Sequence, residues 1–307
     1  QTVTTYYEIS KNLIQRGAYY RSEPLVKLLV EYLGEHEQLI ASRVPGDVPK
    51  IAIVSTLVNT QPASLFVWRN YTLSPSNPSR YYGSYLKPLW SALRASSAAP
   101  AFFDEFSCLI DAPEYLSPVD VALLVGRKQV VNPDAPVEPE SVASPETCVQ
   151  RHVDGGIVAN NPSAVAIHEA SRLWPDKPIS LLLSVGTGKA DRQPCKGGFS
   201  GTLSTIINSA TNIESVHHVL SDTLSPEVYH RFSPVDHSGK DRFNCLLDET
   251  DMALWAEMCD ATDEYLVANQ EHLQKVVGKL LDDPASNGSA TAAEIPATPS
   301  KRKAGYQ

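Results

Sequence analysis

Asp154-Gly155-Gly156 is the part of the sequence with the clearest chemical potential. It follows His152-Val153, so the aspartate can lie at the end of a strand while the two glycines adopt positive φ and allow close backbone approach. A carboxylate presented in this way can act as the general base for a neighbouring nucleophile. Because Asp-Gly-Gly also favours a plain turn, the tripeptide alone leaves both interpretations open.

A serine nucleophile of the usual strand-to-helix type is absent from the sequence. The G-x-S-x-G elbow needs two glycines four residues apart with a serine between them. Only Gly197 and Gly201 have this spacing, and Phe199 lies between them. The candidate base therefore has no matching elbow within the 307 residues.

Nucleotide and metal sites are not predicted. A dinucleotide motif would continue Gly186-x-Gly188 with a third glycine, but Asp191 occupies that position, so a tight turn after a strand is favoured. His217 and His218 are adjacent and point in different directions on a helix, and no H-E-x-x-H spacing occurs. We expect no catalytic metal and no organic cofactor.

The amino-acid composition indicates a globular protein. Of 307 residues 42% are hydrophobic and 20% charged, which is typical of a globular chain, and the net charge of −9 argues against a nucleic-acid surface. Five cysteines, an odd number without a C-x-x-C pair, argue against a disulfide framework. No segment has the roughly 20 apolar residues that span a bilayer. We expect an intracellular protein, cytoplasmic or associated with an organelle membrane, and not a secreted one.

The elements before the candidate base alternate between helix and strand. The patterns predict a helix over Pro24–Gly34, strands over Lys50–Val58 and Ser64–Arg69, and a small-residue helix over Pro88–Ala99. Residues 111–150 contain six prolines and are expected to form a surface insertion.

The elements after the base follow the same alternation. We expect a helix over Pro162–Leu173, a strand buried on both faces over Pro178–Val185, and helices near Leu203–Asn212 and Met252–Leu281. Residues 282–307 are expected to form a disordered tail. The alternation predicts an α/β domain with a mainly parallel sheet.

Several long stretches, in this order along the chain, resemble the patatin-like phospholipases. The resemblance covers roughly residues 19–281 apart from the insertion. The stretches that carry it are Val54–Asn59, Phe66–Tyr71, Trp90–Pro100, Asp154–Ser163, Leu173–Asp176, Ser184–Gly188 and Ile207–Thr211.

The resemblance implies a patatin-like layered fold, with a mainly parallel central sheet flanked by helices, and a calcium-independent phospholipase A-type activity. Members of the family hydrolyse fatty-acyl esters through a Ser–Asp dyad, in which the serine forms an acyl-enzyme and the aspartate moves the proton. Matched by motif, the aspartate is Asp154, and the expected supporting residues are Gly155, Gly156, Asn160, Asn161 and Pro162. The resemblance implies a glycerophospholipid or other acyl-ester substrate, a peripheral membrane surface and no metal.

The resemblance also places the serine elbow and the glycine-rich oxyanion loop before the first residue of this sequence. We therefore expect residues 1–281 to be the C-terminal part of a patatin-like catalytic domain, incomplete at its N-terminal side and inactive alone. The alternative is a catalytically inactive patatin-like scaffold that binds lipid or protein.

Overall fold

The structure is a computed structural model and describes residues 20–42, 49–109, 149–188 and 213–281, except 237, 239, 241, 244 and 246–248. The described residues form seven α-helices, one short 3-10 helix and seven strands. In chain order they are α1 (Glu23–Leu33), the 3-10 helix (Leu39–Ser42), β1 (Ala52–Leu57), β2 (Ser64–Arg69), β3 (Tyr82–Ser84), α2 (Leu89–Ser96), β4 (Phe106–Leu109), β5 (Val149–Asp154), α3 (Gly156–Ala159), α4 (Ser163–Leu173), β6 (Leu182–Val185), α5 (Ile213–Thr223), β7 (Tyr229–Phe232), α6 (Met252–Ala268) and α7 (Gln270–Leu281). The predicted helix Leu203–Asn212, nearly all of the 111–150 insertion and the 282–307 tail lie outside the described residues.

The chain divides into two compact units. One comprises residues 1–179 and 194–223, and the other comprises residues 180–193 and 224–307. The first unit contains β1 to β5 and α1 to α5, and the second contains β6, β7, α6 and α7. None of the described helices is long and apolar enough to cross a membrane.

The sheet of the first unit has five strands in the order β3-β2-β1-β5-β4. Only the β2–β3 pair is parallel, whereas β1–β2, β1–β5 and β4–β5 are antiparallel. The α/β class is confirmed, but the prediction of a mainly parallel sheet is wrong for these strands. The loop between β1 and β2 has only six residues, 58–63, and a parallel connection needs a dozen or more.

Helix α2 covers one face of this sheet and completes its core. Its small residues Ala92 and Ala95 are fully buried against Leu57, Phe66 and Trp68. Small side chains on this face let the helix axis lie close to the strands, as the composition of the predicted helix over Pro88–Ala99 implies. The helix ends at Ser96.

A buried polar chain crosses the same core. The Trp68 indole N–H donates to Ser55 Oγ at 2.8 Å, and Ser55 Oγ lies 3.0 Å from His152 Nδ1. His152 has no exposed surface, and among the described residues its Nε2 has no hydrogen-bond partner. Burial, with a smaller contribution from the Lys87 charge, lowers the pKa of His152 from 6.5 to about 3.

This histidine should make the first unit sensitive to acid. The unfolded chain binds a proton at His152 below pH 6.5 but the folded chain does so only near pH 3, so stability is complete above pH 6.5 and falls as the pH is lowered between these values. We expect a slope of about 1.4 kcal/mol per pH unit in the free energy of urea unfolding. His152→Gln should therefore reduce the wild-type slope by about this amount, while the remaining slope comes in part from His168 and His230, whose pKa values burial also lowers. His36→Gln, at an exposed histidine, is the matched control and should retain the wild-type slope; an unchanged slope in His152→Gln would contradict the assignment.

The second unit contains a two-stranded parallel sheet of β6 and β7. The predicted burial of β6 on both faces is wrong. Leu183 and Val185 are 43% and 74% exposed, while Ser184 between them is buried. Leu183 and Val185 alternate with Ser184 and therefore lie on the same face of the strand, which is the exposed one.

The predicted single helix over Met252–Leu281 is two helices, α6 and α7, separated at Asn269. The Asn269 side-chain amide donates to the Tyr265 carbonyl at 2.8 Å, and Asn269 adopts φ −108° and ψ 20°. A short polar side chain that bonds to nearby backbone competes with the helical pattern. Hydrophobic periodicity continues across the break and gives no indication of it.

Candidate active site

Asp154 is the last residue of β5 and lies opposite Ser55 of β1. Its backbone N–H donates to the Ala98 carbonyl at 2.9 Å, and the next N–H, of Gly155, donates to the Ser96 carbonyl at 3.2 Å. These two acceptors belong to the end of α2 and the residues after it. The C-terminal end of α2 and the residues after it therefore fix the point at which the chain leaves the sheet after β5.

Two further hydrogen bonds orient the Asp154 residue itself. The Thr56 hydroxyl donates to the Asp154 carbonyl at 2.7 Å, and the Gly156 N–H donates to Asp154 Oδ1 at 2.6 Å. Among the described residues Oδ2 accepts no hydrogen bond. One carboxylate oxygen is thus held in place while the other is available to accept a proton.

Electrostatics favour proton transfer at this carboxylate. Burial raises the pKa of Asp154, and the hydrogen bond from the Gly156 N–H lowers it by a smaller amount. Desolvation destabilises the charged form of an acid, so the ionised carboxylate is a stronger base than a solvated one. A half-buried aspartate of this kind has the properties of a general base.

The two glycines allow this turn because they have no Cβ, and not because they adopt positive φ. Gly155 has φ −63° and ψ −28°, and the described glycines with positive φ are Gly34 and Gly188. The predicted positive φ is therefore wrong, but the predicted close approach is observed. A Cβ on Gly155 would lie 2.4 Å from the Val54 carbonyl oxygen, and one on Gly156 would lie 2.9 Å from Asp154 Oδ1.

The other sequence-predicted residues form the turn after Asp154. Asn160 is exposed, and its Oδ1 would lie 3.2 Å from a Cβ on Gly156. Asn161 is buried, and its Oδ1 accepts from the Ser163 N–H at 3.2 Å and from the Ser163 hydroxyl at 2.7 Å. Helix α4 begins at Ser163 and not at Pro162 as predicted, since Pro162 has ψ 11° and occupies the capping position.

The serine opposite the aspartate in the sheet is not a nucleophile. Ser55 is fully buried, accepts from the Trp68 indole and bonds to His152, so its hydroxyl is engaged within the core. A nucleophile must reach the substrate carbonyl, which a residue without exposed surface does not. The described part of the site therefore consists of the Asp154 carboxylate and the groups that hold it.

Sequence reasoning missed the groups that fix Asp154 from outside its own segment. Thr56 acts through its hydroxyl, and Ser96 and Ala98 act through their backbone carbonyls. Backbone acceptors have no side-chain signature. Their positions lie within two of the stretches that resemble the family, which was the only available indication.

A known protein family matches most of the first unit. The sequence model of the family described as patatin-like phospholipase matches residues 3–167. The match includes β1 to β5, α2 and the turn after Asp154.

Individual relatives match a longer part of the chain. Calcium-independent phospholipase A2-gamma of Oryctolagus cuniculus is 33% identical over 269 residues, which are 86% of this chain and 28% of that protein. The protein of the same name from Homo sapiens is 31% identical over 264 residues, 84% of this chain and 28% of the relative. Phospholipase A I of Arabidopsis thaliana is 30% identical in an alignment 306 residues long, which covers 88% of this chain and 20% of the relative. The chain spans less than a third of the length of these relatives.

Proposed function

Because the chain belongs to the patatin-like phospholipase family, we propose that it forms part of a lipid acyl hydrolase in which Asp154 is the general base. The substrates are fatty-acyl esters of glycerophospholipids, and the mechanism uses a Ser–Asp dyad without calcium. The observation that carries the proposal is the half-buried Asp154 carboxylate, with Oδ1 fixed by Gly156 and Oδ2 available.

The proposed reaction has two steps. In the first, Asp154 accepts the proton of the serine hydroxyl as the serine oxygen attacks the acyl carbon, and returns it to the departing lysophospholipid alkoxide, which leaves an acyl-serine ester. In the second, Asp154 accepts a proton from water, whose oxygen attacks the acyl carbon, and the proton returns to the serine as the fatty acid leaves. We place the serine outside the 307 residues, since they contain no G-x-S-x-G elbow.

The substrate lies in a lipid bilayer, so we propose that the protein associates peripherally with intracellular membranes. The net charge of −9 provides no attraction to anionic lipid, and docking must depend on apolar contacts.

The proposal is tested with the complete protein as its source makes it, captured by an antibody against this chain. We expect covalent labelling by a fluorophosphonate, release of fatty acid from phosphatidylcholine vesicles, and unchanged release in excess calcium chelator. Prior fluorophosphonate treatment, the control for a contaminating activity, should abolish release. The captured protein could instead bind vesicles but neither take the label nor release fatty acid. That result would refute the proposed hydrolase activity and identify a non-catalytic lipid-binding scaffold.

A further inference from the structure

The second unit contains a cavity of about 450 Å³ that the proposed hydrolysis does not use. A volume of this size is within the range of small-molecule sites. Its lining residues come from the end of β6, the segment before α6 and α6 itself: Thr187, Phe243, Cys245, Glu249, Trp255, Met258, Cys259 and Thr262.

One wall of the cavity is a single face of α6. Trp255, Met258, Cys259 and Thr262 are spaced at i, i+3, i+4 and i+7, so they lie side by side along the helix. Trp255 is 48% exposed, which leaves part of its ring accessible. An accessible indole is the aromatic group that attracts cations most strongly.

A second aromatic lining residue, Phe243, is held in place from two sides. A Cβ on Gly188 would lie 2.5 Å from Phe243 Cδ1, so only a glycine permits this approach. The neighbouring Arg242 pairs with Asp236 at 2.9 Å and with Glu264 at 2.5 Å. Phe243 is therefore a fixed aromatic residue of the lining, beside the accessible Trp255.

Glu249 is the one charged residue among the described residues that line the cavity. Its Oε1 accepts from the backbone N–H groups of Thr250 and Asp251 at 2.8 and 2.9 Å, which fixes the carboxylate. Among the described residues its Oε2 accepts no hydrogen bond. A fixed carboxylate beside aromatic walls provides a counter-charge for a cation.

The surrounding charge has the same sign. Helix α6 carries four acidic residues and no lysine or arginine: Glu257, Asp260, Asp263 and Glu264. The adjacent Arg242 is neutralised by its two carboxylate partners. The net charge of α6 is therefore negative, which favours the approach of cations to this helix.

We propose that this cavity binds a small organic cation with an apolar surface, of the quaternary ammonium class. Its methyl groups pack against Trp255, Phe243 and Met258, and its charge lies between the indole face and the Glu249 carboxylate. Among the described residues no group of three or more His, Cys, Asp or Glu side chains could hold a metal ion, so Cys245, Cys259 and Glu249 do not form a metal site. A neutral apolar ligand would desolvate Glu249 without compensation. This inference is independent of the proposed hydrolysis.

The test compares choline with its neutral isostere 3,3-dimethyl-1-butanol by calorimetric titration of the whole chain. The two differ in charge but hardly in shape, so we expect saturable choline binding at least about tenfold tighter than the isostere. Glu249→Gln should weaken choline binding about tenfold and leave the isostere unaffected. Glu257→Gln makes the same charge change on α6 away from the lining residues, and is the control that should retain choline binding.

Equal affinity for choline and the isostere, or choline binding that survives Glu249→Gln, would overturn the proposal. Thermal unfolding of each variant shows whether a loss of affinity is caused by a loss of the fold. Co-sedimentation with vesicles of phosphatidylcholine or phosphatidylglycerol then distinguishes the source. A preference for phosphatidylcholine that Glu249→Gln removes identifies a lipid head group, whereas equal sedimentation with retained choline binding identifies a free solute.

Discussion

Replacing Asp154 by asparagine in the complete protein is expected to lower kcat for phospholipid hydrolysis by about 10²–10⁴-fold, the usual contribution of a general base. The amide has nearly the same shape, and its carbonyl oxygen can still accept the Gly156 N–H that bonds to Oδ1 at 2.6 Å. The variant keeps the turn but has no group that accepts a proton. Steady-state hydrolysis of phosphatidylcholine vesicles measures the loss.

The pH dependence provides a second check on the same residue. Because burial raises the pKa of Asp154, the acid limb of the wild-type kcat/KM profile should lie above the ordinary range of an aspartate. The raised pKa also means that the ionised carboxylate destabilises the fold as the pH rises through this range, so Asp154→Asn should be at least as stable as the wild type at pH 7. Asp176→Asn, in an exposed turn, is the matched control and should retain full activity. Wild-type turnover by Asp154→Asn would disprove the assignment.

The sequence predicted the elements of the first unit better than their arrangement. Both early strands were expected nearly where β1 and β2 lie, because β-branched and aromatic residues are bounded there by turn residues. Their antiparallel pairing was missed, although the short loop between them carries the information. The general expectation that alternating helices and strands form a parallel sheet outweighed this local constraint.

Burial and helix breaks depend on neighbours that a local pattern does not reveal. The apolar run that contains Leu183 and Val185 predicted a strand buried on both faces, but the face of β6 that carries these two side chains is exposed. At the break, the Asn269 side chain donates to the Tyr265 carbonyl, a local contact that competes with the helical pattern. Neither feature changes the hydrophobic periodicity of its segment.

The same distinction holds at the candidate site. The motif was sufficient to single out Asp154 and the two glycines, because their types and order are unusual. The reason for Gly155 lies in another strand, where the Val54 carbonyl occupies the space of a Cβ. The hydroxyl of Thr56 likewise comes from β1. Contacts between segments about 100 residues apart are determined by the fold and not by the motif.

A buried ion pair joins the sheet to the helix that follows the Asp154 turn. Arg69 at the end of β2 forms two hydrogen bonds with Glu169 of α4, at 2.7 and 2.8 Å, and both residues are buried. Tyr71 and Ser79 also donate to the Glu169 carboxylate, at 2.8 and 2.6 Å. A Cβ on Gly83 would lie 1.7 Å from Arg69 Nη1, so a glycine is required beside the guanidinium.

Replacing Arg69 by methionine is expected to lower the free energy of urea unfolding by about 3–5 kcal/mol, because it leaves the Glu169 carboxylate buried without its cation. Arg151→Met breaks the exposed pair with Glu105, at 3.1 Å, and as the control should cost about 0–1 kcal/mol.

The pH dependence separates lost charge pairing from lost packing at Arg69. Burial alone would raise the pKa of Glu169, but its hydrogen bonds to Arg69, Ser79 and Tyr71 hold the pKa below the ordinary value. In the wild type the ion pair therefore stabilises the fold above the ordinary glutamate pKa, and this stabilisation is lost as the pH falls. Without Arg69 burial prevails and the pKa rises, so the deficit of Arg69→Met should be largest near pH 7 and shrink towards pH 4. Arg69→Met combined with Glu169→Leu, which removes the unpaired charge, should recover part of the loss. A deficit that is independent of pH and unchanged in the double variant would show that Arg69 stabilises α4 by packing alone.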